Sequence, residues 1–175
     1  PTLSSAASDV YKRQGQDEEV AIRTISLDFE EVDVFAPPRL FMYEDDEHQK
    51  QIADSTRPEA YDETLSHYVD ADEVGDFFLD VFNTGFQTDA FKIRVLEQPD
   101  DWQYRFYDND TGLELVEEGI YSTTPDIGST QILTIMMEVY PPADRDGVDI
   151  GLFKLSVTSK EDSELRTDIA FTVHR

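Results

Sequence analysis

From Asp76 onward the chain alternates apolar and polar side chains with a period of two. Phe77-Phe78-Leu79-Asp80-Val81-Phe82 is an apolar run. Phe91, Ile93 and Val95 then alternate with Lys92, Arg94 and Leu96, and Trp102, Tyr104 and Phe106 with Gln103, Arg105 and Tyr107. Such spacing places one face of a strand against a core. Between these runs lie Asn83-Thr84-Gly85, a corner at Pro99-Asp100-Asp101-Trp102, and Asp108-Asn109-Asp110-Thr111-Gly112, all of turn composition. Leu113, Leu115 and Ile120-Tyr121 predict a short edge strand, and Ile132 to Tyr140 a buried strand ended by Pro141-Pro142. Gly147 falls in a turn, and Leu152–Thr158 and Ile169–Val173 complete the set. Seven or so short strands separated by turns predict an all-β, two-sheet antiparallel sandwich over residues 75–175, with Greek-key connections. Its core candidates are Phe78, Phe82, Phe91, Ile93, Trp102, Ile135, Leu155 and Phe171.

The region before Asp76 reads differently. Val20, Ile22, Ile25, Leu27 and Phe29, followed by Val32, Val34 and Phe35, predict an N-terminal strand region within residues 15–43, closed by Pro37-Pro38. Residues 44–74 are rich in Asp and Glu and form an acidic insertion. Glu44 to Ala53 has a helical pattern, and Ser55-Thr56-Arg57-Pro58 reads as a helix start with proline at the first position, so a partly helical insertion is expected. Residues 1–14, PTLSSAASDVYKRQ, resemble translated sequencing-adapter read-through of the kind found in metagenomic assemblies, with a disordered tail as the alternative. They are set aside from fold reasoning, and the true N-terminus, with any signal peptide, is expected upstream.

Charge narrows the function classes. The 175 residues carry 39 acidic and 14 basic side chains, a formal charge of −25. Without residues 1–14 there remain 38 acidic and 12 basic, a charge of −26. A surface of that sign repels nucleic acid and anionic headgroups. Hydrophobic residues at 39% nonetheless supply a core, so the chain is not an acidic disordered tail. Only five lysines stand against nine arginines. A strongly hydrated acidic surface suits a salty habitat, where ions screen self-repulsion, with an acidic mesophilic protein as the alternative. The absence of cysteine removes disulfides and thiol chemistry. No apolar run reaches the roughly 20 residues that span a bilayer, so membrane association is expected only through an anchor outside this sequence.

In order along residues 75–175 stand Asn83-Thr84-Gly85, Pro99 to Trp102, Val139-Tyr140-Pro141-Pro142, Gly147 and Val157-Thr158-Ser159. This succession resembles the NEW3 / CARDB-like group of immunoglobulin-like modules of bacteria and archaea. The resemblance implies an immunoglobulin-like sandwich serving as a spacer, adhesive or carbohydrate-associated unit, with no shared catalytic residues. The long acidic block before Phe77 departs from the pattern. The motif residues also have structural readings. Gly85 can take positive φ in a tight turn, Asn83 can bond the local backbone, and Trp102 plugs one end of the core.

Candidate chemistry is sparse. Trp102, Tyr104 and Tyr107 are the aromatics that could form a ligand platform, with core packing as the competing reading for Trp102. Asp144, Asp146 and Asp149, around Gly147, resemble part of a calcium loop, as do Asp108 to Gly112. Neither has the full twelve-residue pattern, and a plain turn is the preferred reading. Asn109-Asp110-Thr111 is a glycosylation sequon, making Asn109 an acceptor in a glycosylating host. His48, His67 and His174 lack metal-ligand spacing. No G-x-S-x-G or phosphate loop occurs, and with so many carboxylates a chance acid pair proves nothing.

The expected molecule is thus not an enzyme. It reads as a spacer or interaction module of a larger extracellular or cell-surface prokaryotic protein, without a required cofactor. Its partners would be other domains of the same polypeptide, surface proteins or carbohydrate. The alternatives are a carbohydrate- or protein-binding module using exposed aromatics, and an accessory domain of a glycoside hydrolase. The charge predicts a salt response. The thermal midpoint should rise as NaCl goes from low to physiological levels, because screening weakens self-repulsion; a melting series with a flat or falling midpoint would refute this.

Overall fold

In the computed structural model, which describes residues 35–57, 67–69, 73–142 and 150–175, the sequence alternation becomes two facing sheets. The strands are β1 (Arg39–Tyr43), β2 (Gln51–Asp54), β3 (His67–Tyr68), β4 (Gly75–Phe82), β5 (Phe91–Glu97), β6 (Gln103–Asp108), β7 (Val116–Glu118), β8 (Tyr121–Thr123), β9 (Ile132–Tyr140), β10 (Ile150–Ser159) and β11 (Arg166–His174). The first sheet has the order β2-β1-β4-β9-β6, and the second β3-β11-β10-β5-β8-β7. All pairings are antiparallel except the two-residue pairing of β3 with β11. From β4 on, the chain crosses repeatedly between the sheets.

The inner faces supply the core. Phe77, Leu79 and Val81 of β4 and Ile135, Met137 and Val139 of β9 line the first sheet; Leu40 and Met42 of β1 extend that layer. Facing them are Phe91 and Ile93 of β5, Phe153, Leu155 and Val157 of β10, and Ile169, Phe171 and Val173 of β11. Each such side chain contributes about 1.5–3 kcal/mol by leaving water. Phe153 stacks on Phe171 with centroids 5.5 Å apart, and Trp102 meets Phe153 edge-on at 5.9 Å. Trp102 is 2% exposed and closes one end of the core. Gly151 makes room for that closure: a Cβ there would lie 2.7 Å from Pro99 Cγ.

Most predicted strands lie where the alternation put them, with four corrections. The core face of β4 is shifted by one residue: Phe77, Leu79 and Val81 point inward, whereas Phe78 and Phe82 belong to the outer face. An unbroken apolar run has no polar residue to mark the register, so pairing with β1 and β9 decides it. The expected edge strand at 113–121 is a hairpin of β7 and β8, turned at Gly119 with φ +71°. Gly85 does not use positive φ; Gly112 and Gly119 do. Finally, no helix occurs among the described residues of the acidic insertion. Gln51–Asp54 instead pair antiparallel with β1, and Ile52 is buried in the core. The Asp45 carboxylate accepts the N–H groups of Gln49 and Lys50, which folds the β1–β2 connection into a hairpin loop. The predicted helix start reaches Pro58, and the strand predicted from Val20 to Phe35 lies almost wholly before residue 35; both extend outside the described residues.

Asn83 joins the crossovers at one end of the sandwich. It is 1% exposed. Its Nδ2 donates to the carbonyls of Gln87 (2.8 Å) and Ile127 (2.9 Å), and its Oδ1 accepts the Gly85 N–H (2.9 Å). Its own N–H reaches Gln131 O, and its carbonyl accepts Thr130 N–H. Removing the side chain leaves these buried groups short of partners. Asn83→Ala should cost about 3 kcal/mol in denaturant unfolding, whereas exposed Asn109→Ala should stay within roughly 0.5 kcal/mol. Equal, small losses would mean that the side-chain hydrogen bonds of Asn83 contribute nothing to stability.

Candidate functional site

On the outer face of the first sheet, strand register lines up four large side chains. Tyr43 of β1 lies opposite Phe78 of β4, Phe78 opposite Met136 of β9, and Met136 opposite Tyr107 of β6. Three interstrand steps of about 4.8 Å make this row roughly 14 Å long. Tyr43, Met136 and Tyr107 are half-buried, and Phe78 is 8% exposed. A charged row and a mixed row flank it. On one side Asp76, Glu138 and Arg105 face one another across β4, β9 and β6. On the other, Phe41, Asp80 and Thr134 do so across β1, β4 and β9.

The flanking groups are tightly engaged. Thr134 donates its hydroxyl to Asp80 Oδ1 at 2.7 Å, and His48 Nε2 lies 3.6 Å from the same oxygen. His48 stacks on Tyr43 with centroids 4.6 Å apart, extending the aromatic row over the β1–β2 loop. Burial, and then the Asp80 and Asp54 charges, push the Tyr43 phenol upward. The hydrogen bond with the Tyr107 hydroxyl raises Arg105 further above its ordinary value. Tyr140 donates to the Glu138 carboxylate, and this bond is the main reason its pKa is pushed up to about 12. Tyrosine rings with polar tips beside fixed charges make an amphipathic strip suited to stacking on a sugar ring or an apolar protein surface.

The sequence candidates are scattered by the fold. Of the three aromatics, only Tyr107 belongs to this outer row. Trp102 is in the core, and Tyr104 packs against the core beside Phe106, its phenol raised by burial and then by the Glu117 charge. Trp102 offers no open ring to a ligand, and Tyr104 faces the core side of β6. Asp144, Asp146 and Asp149 lie outside the described residues. Asp108 Oδ1 accepts the N–H groups of Asp110 and Thr111 and so is used by its turn. Asn109 is exposed on that turn. Among the described residues no three His, Asp or Glu side chains converge as a metal site would require. Tyr43, His48 and Tyr140 were missed from the sequence. Tyr43 alternates with Phe41 in Arg39–Tyr43, a signal that was hidden by the acidic residues that follow.

A cavity of about 440 Å³ lies elsewhere, with Asp54, Arg57, Glu97, Lys154 and Asp168 among its lining residues. Asp168 is held below the usual carboxylate range by its hydrogen bonds from Arg166. For Asp54 burial pulls upward, but the Thr56 hydrogen bonds and nearby arginines outweigh it and the pKa is lowered. Both are therefore ionised at neutral pH and suited to ion pairing, whereas a general acid of glycoside hydrolysis needs a raised pKa.

No protein-family model matches the chain, and no curated protein sequence does. Solved structures resemble the chain only distantly. The N-terminal domain of PorA is 11% identical with a TM-score of 0.45, covering 77% of this chain and 96% of that one. A FixG-related protein from Vibrio parahaemolyticus is 14% identical with a TM-score of 0.42, covering 59% and 79%. A family 123 glycoside hydrolase from Clostridium perfringens is 6% identical with a TM-score of 0.43, covering 62% of this chain but 22% of that enzyme. Likenesses this distant transfer no ligand, partner or activity.

The Tyr140–Glu138 bond has a measurable consequence. A phenol pKa raised from 10.0 to about 12 in the folded state contributes stability that is fully present below pH 10 and lost as pH rises through about 12. In a phenolate absorbance titration Glu138→Gln should move one tyrosine to lower pH. An unchanged titration curve would show that the carboxylate does not hold the phenol.

Proposed function

We propose that the chain is a non-enzymatic β-sandwich module, working as a spacer or interaction unit in a larger surface or secreted prokaryotic protein of the kind that NEW3 / CARDB-like modules belong to. The observation that carries this reading is the outer-face row Tyr43–Phe78–Met136–Tyr107. It is an apolar strip on a rigid sheet, held by backbone pairing, with charged groups only at its margins. Tyr43, Met136 and Tyr107 keep part of their surface in water around the buried Phe78, and apolar surface left open on a sheet face is suited to contact. The sandwich ties its polar loop residues into turns, and its strands present side chains at fixed spacing, as a scaffold for contact does.

The same row favours a carbohydrate as one such contact. Tyrosines offer a ring for stacking at low entropy cost, and a phenol hydroxyl can bond those of a sugar. Electrophoresis through native gels containing neutral polysaccharides tests the idea. Retardation of the wild-type chain should be lost in Tyr107→Ala and retained in Asn109→Ala. Equal migration of all three in every polysaccharide would reject the carbohydrate contact and leave the spacer role.

A further inference from the structure

The second sheet carries a different surface. Between β5, β8, β10 and the β10–β11 connection lies a pocket of about 240 Å³. Lys92, Arg94, Lys160 and Arg166 line it. These are four of the ten lysines and arginines among the described residues, gathered at one place on a chain with a formal charge of −25. Such clustering runs against the charge of the whole molecule.

Three of the four cations are not spent on neutralising local carboxylates. Arg166 is engaged, donating to both Asp168 oxygens at 2.8 and 2.7 Å. Lys92, Arg94 and Lys160 form no ion pair with a described residue. The Lys92 ammonium instead sits 6.0 Å above the Tyr121 ring. The acids of the adjoining loop, Glu161, Asp162 and Glu164, do not line the pocket, and Asp162 Oδ1 accepts the Glu164 N–H. Lys92 and Arg94 are held on one face of β5 by its alternation, with Phe91 and Ile93 buried behind them. Lys160 is fixed through its N–H to Ala90 O, and the neighbouring Ser159 hydroxyl to the buried Asp89 at 2.5 Å.

We propose that this pocket binds an acidic sugar, a hexuronate-type unit whose carboxylate sits among Arg94, Lys160 and Lys92. The size fits one sugar ring, being below the usual range for larger ligands. A long polyanion would have to lay its remaining charges over an acidic surface, which opposes it. A single carboxylate stays within a Debye length of the cations and gains charge-assisted hydrogen bonds, bidentate with Arg94. The other lining groups suit the rest of a sugar. Tyr121 presents a ring, and its hydroxyl and those of Thr158 and Ser163 have no hydrogen-bond partner among the described residues. A neutral ring edge rich in hydroxyls would satisfy them.

Calorimetric titration of the full chain with glucuronate, glucose and sulfate tests the assignment. Glucuronate should bind, more weakly as NaCl rises, and glucose should not. Arg94→Gln and Lys160→Gln, both at exposed positions, should each weaken glucuronate roughly tenfold or more, the effect of losing one charge-assisted hydrogen bond. Tyr107→Ala, on the opposite sheet, should leave it unchanged, which separates this site from the aromatic row. Methyl glucuronide distinguishes the sources: binding equal to glucuronate assigns the terminal residue of an acidic glycan, and loss assigns the free sugar acid. No glucuronate binding, glucose binding as tight, or an affinity untouched by both charge substitutions would overturn the site. Sulfate binding as tight as glucuronate would overturn the sugar assignment.

Discussion

The architecture depends on satisfying polar backbone where the chain crosses between the sheets. Strands bond to one another, but the β4–β5 and β8–β9 connections have no ladder to join. Asn83 supplies what is missing, bonding Gln87 and Ile127 carbonyls and the Gly85 N–H from a position almost closed to water. The Asp89–Ile127 backbone pair and the Thr124 hydroxyl on Phe91 N–H continue the same end of the sandwich. Asp89 then links to Ser159 at the end of β10. With no cysteine anywhere in the chain, these bonds and the apolar core carry the cross-linking of the fold.

With the connections pinned, the two outer faces can differ. The first sheet places tyrosines, Met136 and Phe78 side by side across four strands. The second places lysines, arginines and hydroxyls around a small pocket. Neither face is needed to build the core, because alternation gives each strand one face for packing and one for contact. A scaffold of this kind can hold two unlike surfaces without conflict, one apolar and one cationic, while the strongly acidic remainder keeps the molecule apart from other polyanions.

Much of the fold was legible because period-two patterning is local. β5, β6, β9, β10 and β11 fell close to their predicted spans, and Tyr140 ended β9 at the Pro141-Pro142 pair. The Asn-Thr-Gly signal was meaningful, although its weight rests on the Asn83 side chain and not on a positive-φ glycine. β2 was misread as helical because its four residues, Gln51–Asp54, carry no alternation strong enough to outweigh the surrounding acids. Ile52 shows how one buried contact and pairing with β1 override weak propensity.

The candidate sites were less legible for a related reason. Tyr107 was recognisable as an outward aromatic, but its neighbours Tyr43, Phe78 and Met136 come from strands far apart in the chain. Lys92 and Arg94 could be read as one strand face; their meeting with Lys160 and Arg166 could not. By itself the sequence determined the all-β class, the acidic surface and most strand positions, since these follow from composition and near-neighbour spacing. Only the tertiary structure decided which face of β4 is the core, that Trp102 and Tyr104 turn inward, and which side chains share a surface. Those outcomes are set by strand order and register, which are relations between distant segments that no local pattern encodes.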